Sequence, residues 1–282
     1  MVVFPNCKIN IGLRILRRRC DGYHDIETVM VPVPWCDILE ITVADKASFS
    51  LTGHSLGNIP PEKNLVLKAL RNLESDTGIS LPPLAVHLHK VIPDGAGLGG
   101  GSADASFALR AVNDLLSLEL SNSRLVEIAA KTGADCPFFI YNRPMLAQGI
   151  GQILTPVELP SLKGRWITIV KPTAEAVSTP AAYSGATPHE LHHGICLSEY
   201  VKHPIEVWHT EGILINDFET SVFALRPIIA DTLARLRSFG PTYSAMSGSG
   251  ASLFGIFNSK KAAEEAAAAF PEAATFTSEL NL

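Results

Sequence analysis

The chain has 282 residues, 46% of them hydrophobic and 18% charged, with a formal net charge of −5. It is long enough for one large or two ordinary folded domains and too apolar to be disordered. A mildly acidic balance argues against broad nucleic-acid binding, which needs a basic face, and no apolar run is long enough to span a bilayer.

In chain order, residues 8–16, 27–33 and 38–43 read as strands from their alternation of apolar and other residues. A basic run, Arg17-Arg18-Arg19, follows the first of them; a solvated turn and a local role toward an anionic ligand both stay open. Residues 53–61 are turn-rich. Residues 64–74 carry Leu65, Leu67, Ala69, Leu70 and Leu73 at helical spacing, and 84–92 alternate again as a strand. A glycine-rich loop covers 95–101. Ser102 then opens a helix marked by Ala105, Leu109, Val112 and Leu116, and a further helix over 123–131 ends at Gly133. Proline and turn residues over 156–164 mark a boundary between domains 1–158 and 159–282. Beyond it, 166–170, 242–246, 252–257 and 274–277 read as strands and 227–238 and 259–270 as helices. The mixture predicts an α+β sandwich in each half, with no internal repeat.

Five cysteines (Cys7, Cys20, Cys36, Cys136, Cys196) are odd in number and widely spaced, with no Cys-x-x-Cys pair. That pattern fits a reducing cytoplasm and neither a disulfide framework nor a zinc knuckle. The first thirteen residues lack the basic-then-apolar order of a signal peptide.

The strongest chemical signal is Pro93-Asp94-Gly95-Ala96-Gly97-Leu98-Gly99-Gly100-Gly101-Ser102, with five glycines in seven positions. Bare backbone N–H groups at a helix N-terminus form a donor-rich cradle, and the helix dipole there favours an anion such as phosphate. The run contains Gly95-x-Gly97-x-x-Gly100, the dinucleotide fingerprint. The helix that follows leads into another helix and not into a second parallel strand, so a dehydrogenase unit is rejected. No glycine is followed by Lys and then Ser or Thr, so a P-loop is absent. His189-Glu190-Leu191-His192-His193 fits the zinc-protease pattern, but Pro188 and Gly194 leave barely one turn, and it reads as an exposed polar loop.

These pieces resemble the GHMP kinase superfamily. Its three motifs stand here as Pro5-Asn6-Cys7-Lys8-Ile9-Asn10, the glycine loop, and Met246-Ser247-Gly248-Ser249-Gly250-Ala251. The segments Asp21-Gly22-Tyr23-His24, Gly133-Ala134-Asp135-Cys136-Pro137-Phe138-Phe139, Gly151-Gln152-Ile153-Leu154-Thr155-Pro156 and Asn216-Asp217-Phe218-Glu219 resemble the branch whose acceptor is a cytidine diphosphate-linked methylerythritol. The resemblance covers almost the whole chain.

It implies an α+β fold with an N-terminal ATP-binding domain, a ferredoxin-like C-terminal domain and an active site in the cleft between them. It implies a kinase using ATP and Mg²⁺, with no residue assigned to the metal. The partner is a small cytidine diphosphate-linked molecule, with no nucleic acid or membrane, in a cytoplasmic monomer or weak homodimer. Another GHMP kinase, of homoserine or mevalonate type, and a non-catalytic nucleotide binder are the alternatives. Asp135 is the implied base and Lys8 its cationic partner, holding the carboxylate ionised and stabilising charge on the hydroxyl. Period two puts Lys8, Asn10 and Gly12 on one face, either solvent or cleft, and the resemblance selects the cleft.

Asn10 is expected to hold the acceptor. Tyr23 and His24 are expected to form a cytosine pocket with Tyr183 as a second aromatic; a plain hairpin turn at Asp21-Gly22 is compatible with that. Gly248, Ser249 and Gly250 would form a second cradle on the acceptor. Asn64 and Lys90 fall near the adenosine end, and Ser102 near the phosphates or their magnesium. A branched side chain at Gly97 is expected to weaken ATP selectively. Gln148, Gln152 and Asp104 depart from the family pattern, with asparagine usual at the last.

Overall fold

The structure, a computed structural model, describes residues 1–54, 63–173, 175, 177–188, 196–209 and 212–282. The His189–His193 motif and most of the turn-rich segment after Gly53 lie outside these. The strands and helices run β1 (Val2–Val3), β2 (Asn6–Arg18), β3 (His24–Cys36), β4 (Ile38–Val43), β5 (Ser48–Gly53), α1 (Leu65–Thr77), β6 (Leu84–Lys90), α2 (Gly100–Leu115), α3 (Asn122–Thr132), α4 (Cys136–Tyr141), β7 (Met145–Gly149) and β8 (Ile153–Pro156). They continue as β9 (Trp166–Pro172), α5 (Thr179–Ser184), α6 (Leu197–Tyr200), α7 (Phe218–Leu225), α8 (Pro227–Arg237), β10 (Tyr243–Met246), β11 (Leu253–Phe257), α9 (Lys260–Ala268) and β12 (Ala273–Glu279).

Two compact units emerge. The first comprises residues 1–7, 34–94 and 99–143, and the second 8–33, 95–98 and 144–282. The division expected at residue 158 cuts the chain once. The units interleave instead, because β2, β3 and the glycine loop each run on from one unit into the other.

In the first unit a four-stranded sheet has the order β1-β4-β6-β5. β4 runs antiparallel to β6, with Glu40 opposite His87, while β5 runs parallel to it. Alternation along β6 buries Leu84, Val86 and Leu88 against α1, α2 and α3, where Leu70, Leu73, Leu109, Val112 and Ile128 complete the core. Asn64 caps α1 by accepting the Val66 N–H at 2.9 Å, and Gly78 ends it in the left-handed region.

The second unit holds two sheets, β2-β3-β7-β8 and β10-β11-β9-β12. Numbered by its own strands, the latter has the order 4-1-3-2, and the chain visits it as βαββαβ, the expected ferredoxin-like arrangement. Phe218, Val222, Leu233, Leu236, Leu253, Phe257 and Phe270 form its core. Among the described residues no helix is long and apolar enough to cross a membrane.

The short elements β5, α4, β7, β8, α5, α6 and α7 escape sequence periodicity. Six residues of α4 or four of β8 are too few to show a period of 3.6 or 2.

Candidate active site

In the first unit, β6 delivers Lys90 and the glycine loop delivers the start of α2. Gly99 sits in the left-handed region at the helix N-cap with φ 72°, and no side chain caps the helix. The first helical bond runs from Ala103 N to Gly99 O, so the N–H groups of Gly100, Gly101 and Ser102 precede it. A Cβ on Gly101 would find only Leu65 Cδ1, at 3.6 Å, so the backbone here is open to a ligand. Asn64, Leu65, Leu88, Lys90, Asp94 and Gly101 line one hollow, which unites the expected adenosine-end residues with the cradle.

Lys90 is buried, and its ammonium donates to two carboxylates, Asp37 Oδ2 and Asp104 Oδ2, the second at 2.8 Å. Asp37 also accepts the backbone N–H groups of Val91 and Ile92 through Oδ1 at 2.6 and 2.8 Å. Asp104 Oδ1 is buried and has no partner among the described residues. Burial pushes the Asp104 carboxyl up to about 8; the Lys90 charge opposes the rise and the Asp37 charge adds to it. The Lys90 ammonium is thus held between two acidic side chains of its own unit.

The unfolded chain releases the Asp104 proton in the ordinary carboxylate range, whereas the folded chain holds it up to about 8. Its contribution to stability is therefore complete below about pH 4 and is lost as pH rises toward about 8. Urea unfolding at about pH 5 and about pH 8 is expected to show the wild type weakening over this window, and Asp104→Asn to show a flatter profile. Equal slopes would remove Asp104 as the source.

Asp135 lies half-buried in the same unit, at the N-cap of α4. Its backbone is pinned: Phe138 N donates to Asp135 O at 3.2 Å, and Cys136 N to Gly133 O at 3.2 Å. The Ser106 hydroxyl of α2 donates to Cys136 O at 2.7 Å, fixing the segment against the helix that begins at the cradle. Burial pushes the Cys136 thiol up to about 11, with the Ser102 hydroxyl opposing that, so Cys136 is no nucleophile.

In the second unit, Lys8 is 3% exposed. Its ammonium donates to Asn10 Oδ1 at 2.5 Å and to Gly97 O at 3.0 Å. Asn10 Nδ2 donates to Thr28 Oγ1 at 3.0 Å, and Thr28 donates onward to Gly12 O at 2.6 Å. The face carrying Lys8, Asn10 and Gly12 is thus buried and not solvent-facing. One end of the Asn10 amide orients Lys8 and the other is held by Thr28.

The middle of the glycine loop closes on these groups through its backbone. Ala96 O accepts Ser252 N at 3.0 Å, Leu98 O accepts Lys8 N at 2.9 Å, and Gly97 O also accepts Ser247 Oγ at 3.0 Å. Ala96 and Leu98 bury their side chains and serve through the main chain. Gly248, at φ +55°, has no room for a side chain: its Cβ would stand 3.0 Å from Gly97 O and 3.3 Å from both Lys8 Nζ and Asn10 Oδ1. Ser249 Oγ lies 3.2 Å from Thr179 Oγ1.

Tyr23 follows the Asp21-Gly22 turn and is 61% exposed, its N–H capped by Asp21 Oδ1 at 3.1 Å. The basic run is partly neutralised, with Arg17 on Asp25 and Arg19 on both Asp21 and Asp25. His24 stacks on Tyr183 with centroids 4.5 Å apart and planes at 13°, and Tyr183 meets Phe218 edge-on at 4.7 Å. Burial and the Arg18 charge lower the His24 pKa, so the ring is neutral at physiological pH. Tyr23 stands outside this stack.

Sequence reasoning missed Asp37, Thr28 and the working contacts of Asn216 and Glu219. Asp37 and Thr28 belong to no motif; the last two stood in a quoted segment without a role. Among the described residues no group of three or more His, Cys, Asp or Glu is placed to hold a metal.

Residues 64–143 match the family described as GHMP kinases N terminal domain, and residues 209–275 match GHMP kinases C terminal. The 4-diphosphocytidyl-2-C-methyl-D-erythritol kinase of Parabacteroides distasonis is 48% identical over 257 residues, 91% of this chain and 92% of that protein. A crystal structure of 4-(cytidine 5'-diphospho)-2C-methyl-D-erythritol kinase matches with TM-score 0.81 at 28% identity, covering 98% of each chain. A homoserine kinase from Cytophaga hutchinsonii, with TM-score 0.66 at 20% identity over 98% of this chain and 94% of its own, shares the fold alone. With 48% identity over 91% of the chain added to the paired glycine loops around Lys8, the chain belongs to the GHMP kinases, in the group of the 4-diphosphocytidyl-2-C-methyl-D-erythritol kinases.

Proposed function

We propose that this protein transfers the γ-phosphoryl group of ATP to the 2-hydroxyl of 4-diphosphocytidyl-2-C-methyl-D-erythritol, a step of the non-mevalonate isoprenoid route. The observation that carries the reading is Lys8, a buried ammonium held by Asn10 and Gly97 with the Gly248 loop packed against it. A protein that only bound nucleotide would have no use for a cation fixed in this way.

Phosphoryl transfer needs alignment and charge stabilisation more than covalent help. The N–H groups at the start of α2 bind the phosphates, and the hollow at Asn64 and Leu65 takes the adenosine. Mg²⁺ carried on the triphosphate supplies neutralisation of the transferring group, and the Ser102 hydroxyl at the first turn of α2 is the side chain that would meet it. Asp135 accepts the proton of the attacking 2-hydroxyl as its oxygen bonds to phosphorus and the bond to ADP breaks. Lys8 stabilises the charge developing on that oxygen. The odd number and wide spacing of the five cysteines accord with action in a reducing cytoplasm.

The exposed ring of Tyr23 offers a stacking face for cytosine, and the neutral His24 edge offers polar pairing. Tyr183, stacked on His24, backs that imidazole. Tyr23→Ala is expected to raise the KM for the cytidine substrate by the loss of roughly 1–3 kcal/mol of stacking, with the KM for ATP unchanged. His24→Ala is expected to narrow the preference for cytosine over uracil. The test is ADP release across the cytidine and uridine diphosphate substrates, bare methylerythritol phosphate, homoserine and mevalonate. If bare methylerythritol phosphate turns over as well as the cytidine diphosphate form, the substrate assignment fails.

A further inference from the structure

The segment Asn216-Asp217-Phe218-Glu219 has no part in the reading above, yet its polar groups converge on the third glycine loop. Asn216 is buried, and its Nδ2 donates to two carbonyls of that loop, Met246 O and Gly248 O, each at 2.8 Å. Its Oδ1 accepts Phe218 N at 3.0 Å at the start of α7. Glu219 Oε1 accepts Met246 N at 2.8 Å, so both backbone groups of Met246 are held from one segment.

The other side of the segment is tied to β2. Leu13 N donates to Ile215 O and Asp217 N to Leu13 O, both at 2.8 Å, and Ile15 N donates to Asp217 Oδ2 at 2.7 Å. β2 is the strand that carries Lys8 and Asn10. A closed circuit results: Lys8 to Gly97, Gly97 to Ser247, the loop to Asn216, and Asn216 through Leu13 back along β2.

The loop needs such a hold. Gly248 and Gly250 both have positive φ, and within the turn only Gly250 N to Ser247 O at 3.0 Å and Ser247 N to Ser252 O at 2.9 Å fix its shape. Among the described residues the N–H groups of Gly248 and Ser249 are not taken up by a backbone acceptor.

We propose that Asn216 and Glu219 clamp the third glycine loop in register with β2, and that Asn216 is a positioning residue that aims the Gly248 and Ser249 N–H groups beside Lys8. The proposal rests on the kinase reading for its catalytic consequence and on geometry alone for the clamp. Donors preorganised toward developing charge matter only when held in place, and a displacement of an ångström costs on the order of 10²-fold in rate.

The test is Asn216→Asp. Aspartate keeps the volume and the acceptor for Phe218 N, loses the two N–H donors to the loop, and sets a carboxylate oxygen against the Met246 and Gly248 carbonyls. The expected result is a kcat lower by about 10²-fold, with unchanged affinity for a non-hydrolysable ATP analogue and faster hydrogen exchange at Ser247 and Gly250 than in the wild type. Wild-type kcat and unchanged exchange in a folded Asn216→Asp protein would overturn the clamp, since Asn216 would then serve only as the acceptor for Phe218 N. If that variant does not fold, Glu219→Ala carries the test: lower kcat with ATP binding retained supports the proposal, and unaltered kcat overturns it. Wild-type turnover in the same assay tests the kinase reading separately. A wild type with no turnover removes that reading, and the exchange rates still decide the clamp.

Discussion

Asp135→Asn is expected to bind ATP normally and to lose about 10²–10⁴-fold in kcat, the usual contribution of positioned proton removal. The substitution is isosteric and exchanges a carboxylate for an amide that cannot take a proton at neutral pH. The Asp135 side chain makes no capping bond to α4, so the change does not undo the helix start. The segment is held by other groups, the backbone bonds around Gly133 and Asp135 and the Ser106 bond to Cys136 O. A loose transition state leaves much of the proton on the attacking hydroxyl until late, which places the loss nearer the lower end of the range. Single-turnover phosphoryl transfer, read beside equilibrium binding of an ATP analogue, separates chemistry from binding. Near-normal turnover would remove Asp135 from the mechanism.

The parts of this site that the chain spells out locally were legible before folding. The start of α2 is one: glycines without side chains followed by an apolar period of 3.6 specify a helix N-terminus. β4 keeps its expected bounds at Ile38–Val43. Lys8 was legible as a residue and not as an environment. Period two sets which residues share its face but not what covers that face, and the cover comes from Gly97 and Gly248, distant in sequence. Lys90 shows the same limit. Its two carboxylates come from Asp37, just before β4, and from Asp104 on α2, so nothing near Lys90 in sequence announces that pairing. The stack of His24 on Tyr183 also joins residues far apart in the chain. Local pattern yields elements and motifs, whereas burial and pairing of the functional groups depend on contacts that only the fold makes.

Gly97→Val is expected to destabilise the protein and depress kcat, and not to weaken ATP alone as the sequence suggested. The correction follows from where Gly97 packs. It sits at φ +72°, and a Cβ there would stand 2.1 Å from Ser247 O and 3.1 Å from Gly250 N. Both neighbours are backbone of the third glycine loop, so neither yields by a rotamer change. The left-handed conformation adds roughly 1–2 kcal/mol for a residue with a Cβ, and more for a β-branched one. Relief requires the two loops to part, which withdraws the Gly97 carbonyl from the Lys8 ammonium and from the Ser247 hydroxyl. Gly101 provides the contrast within the same run. It lies in the first turn of α2, its φ is not positive, and its Cβ would meet nothing closer than Leu65 Cδ1 at 3.6 Å. Gly101→Ala is therefore expected to raise stability by about 0.5–1 kcal/mol through helix propensity while crowding the phosphate cradle and raising the KM for ATP. Thermal unfolding and steady-state kinetics on the two variants should separate the roles. Gly97→Val should show a lower Tm and lower kcat, and Gly101→Ala an equal or higher Tm with weaker ATP. A Gly97→Val protein with wild-type Tm and only its ATP KM altered would show that the contact between the glycine loops does not matter.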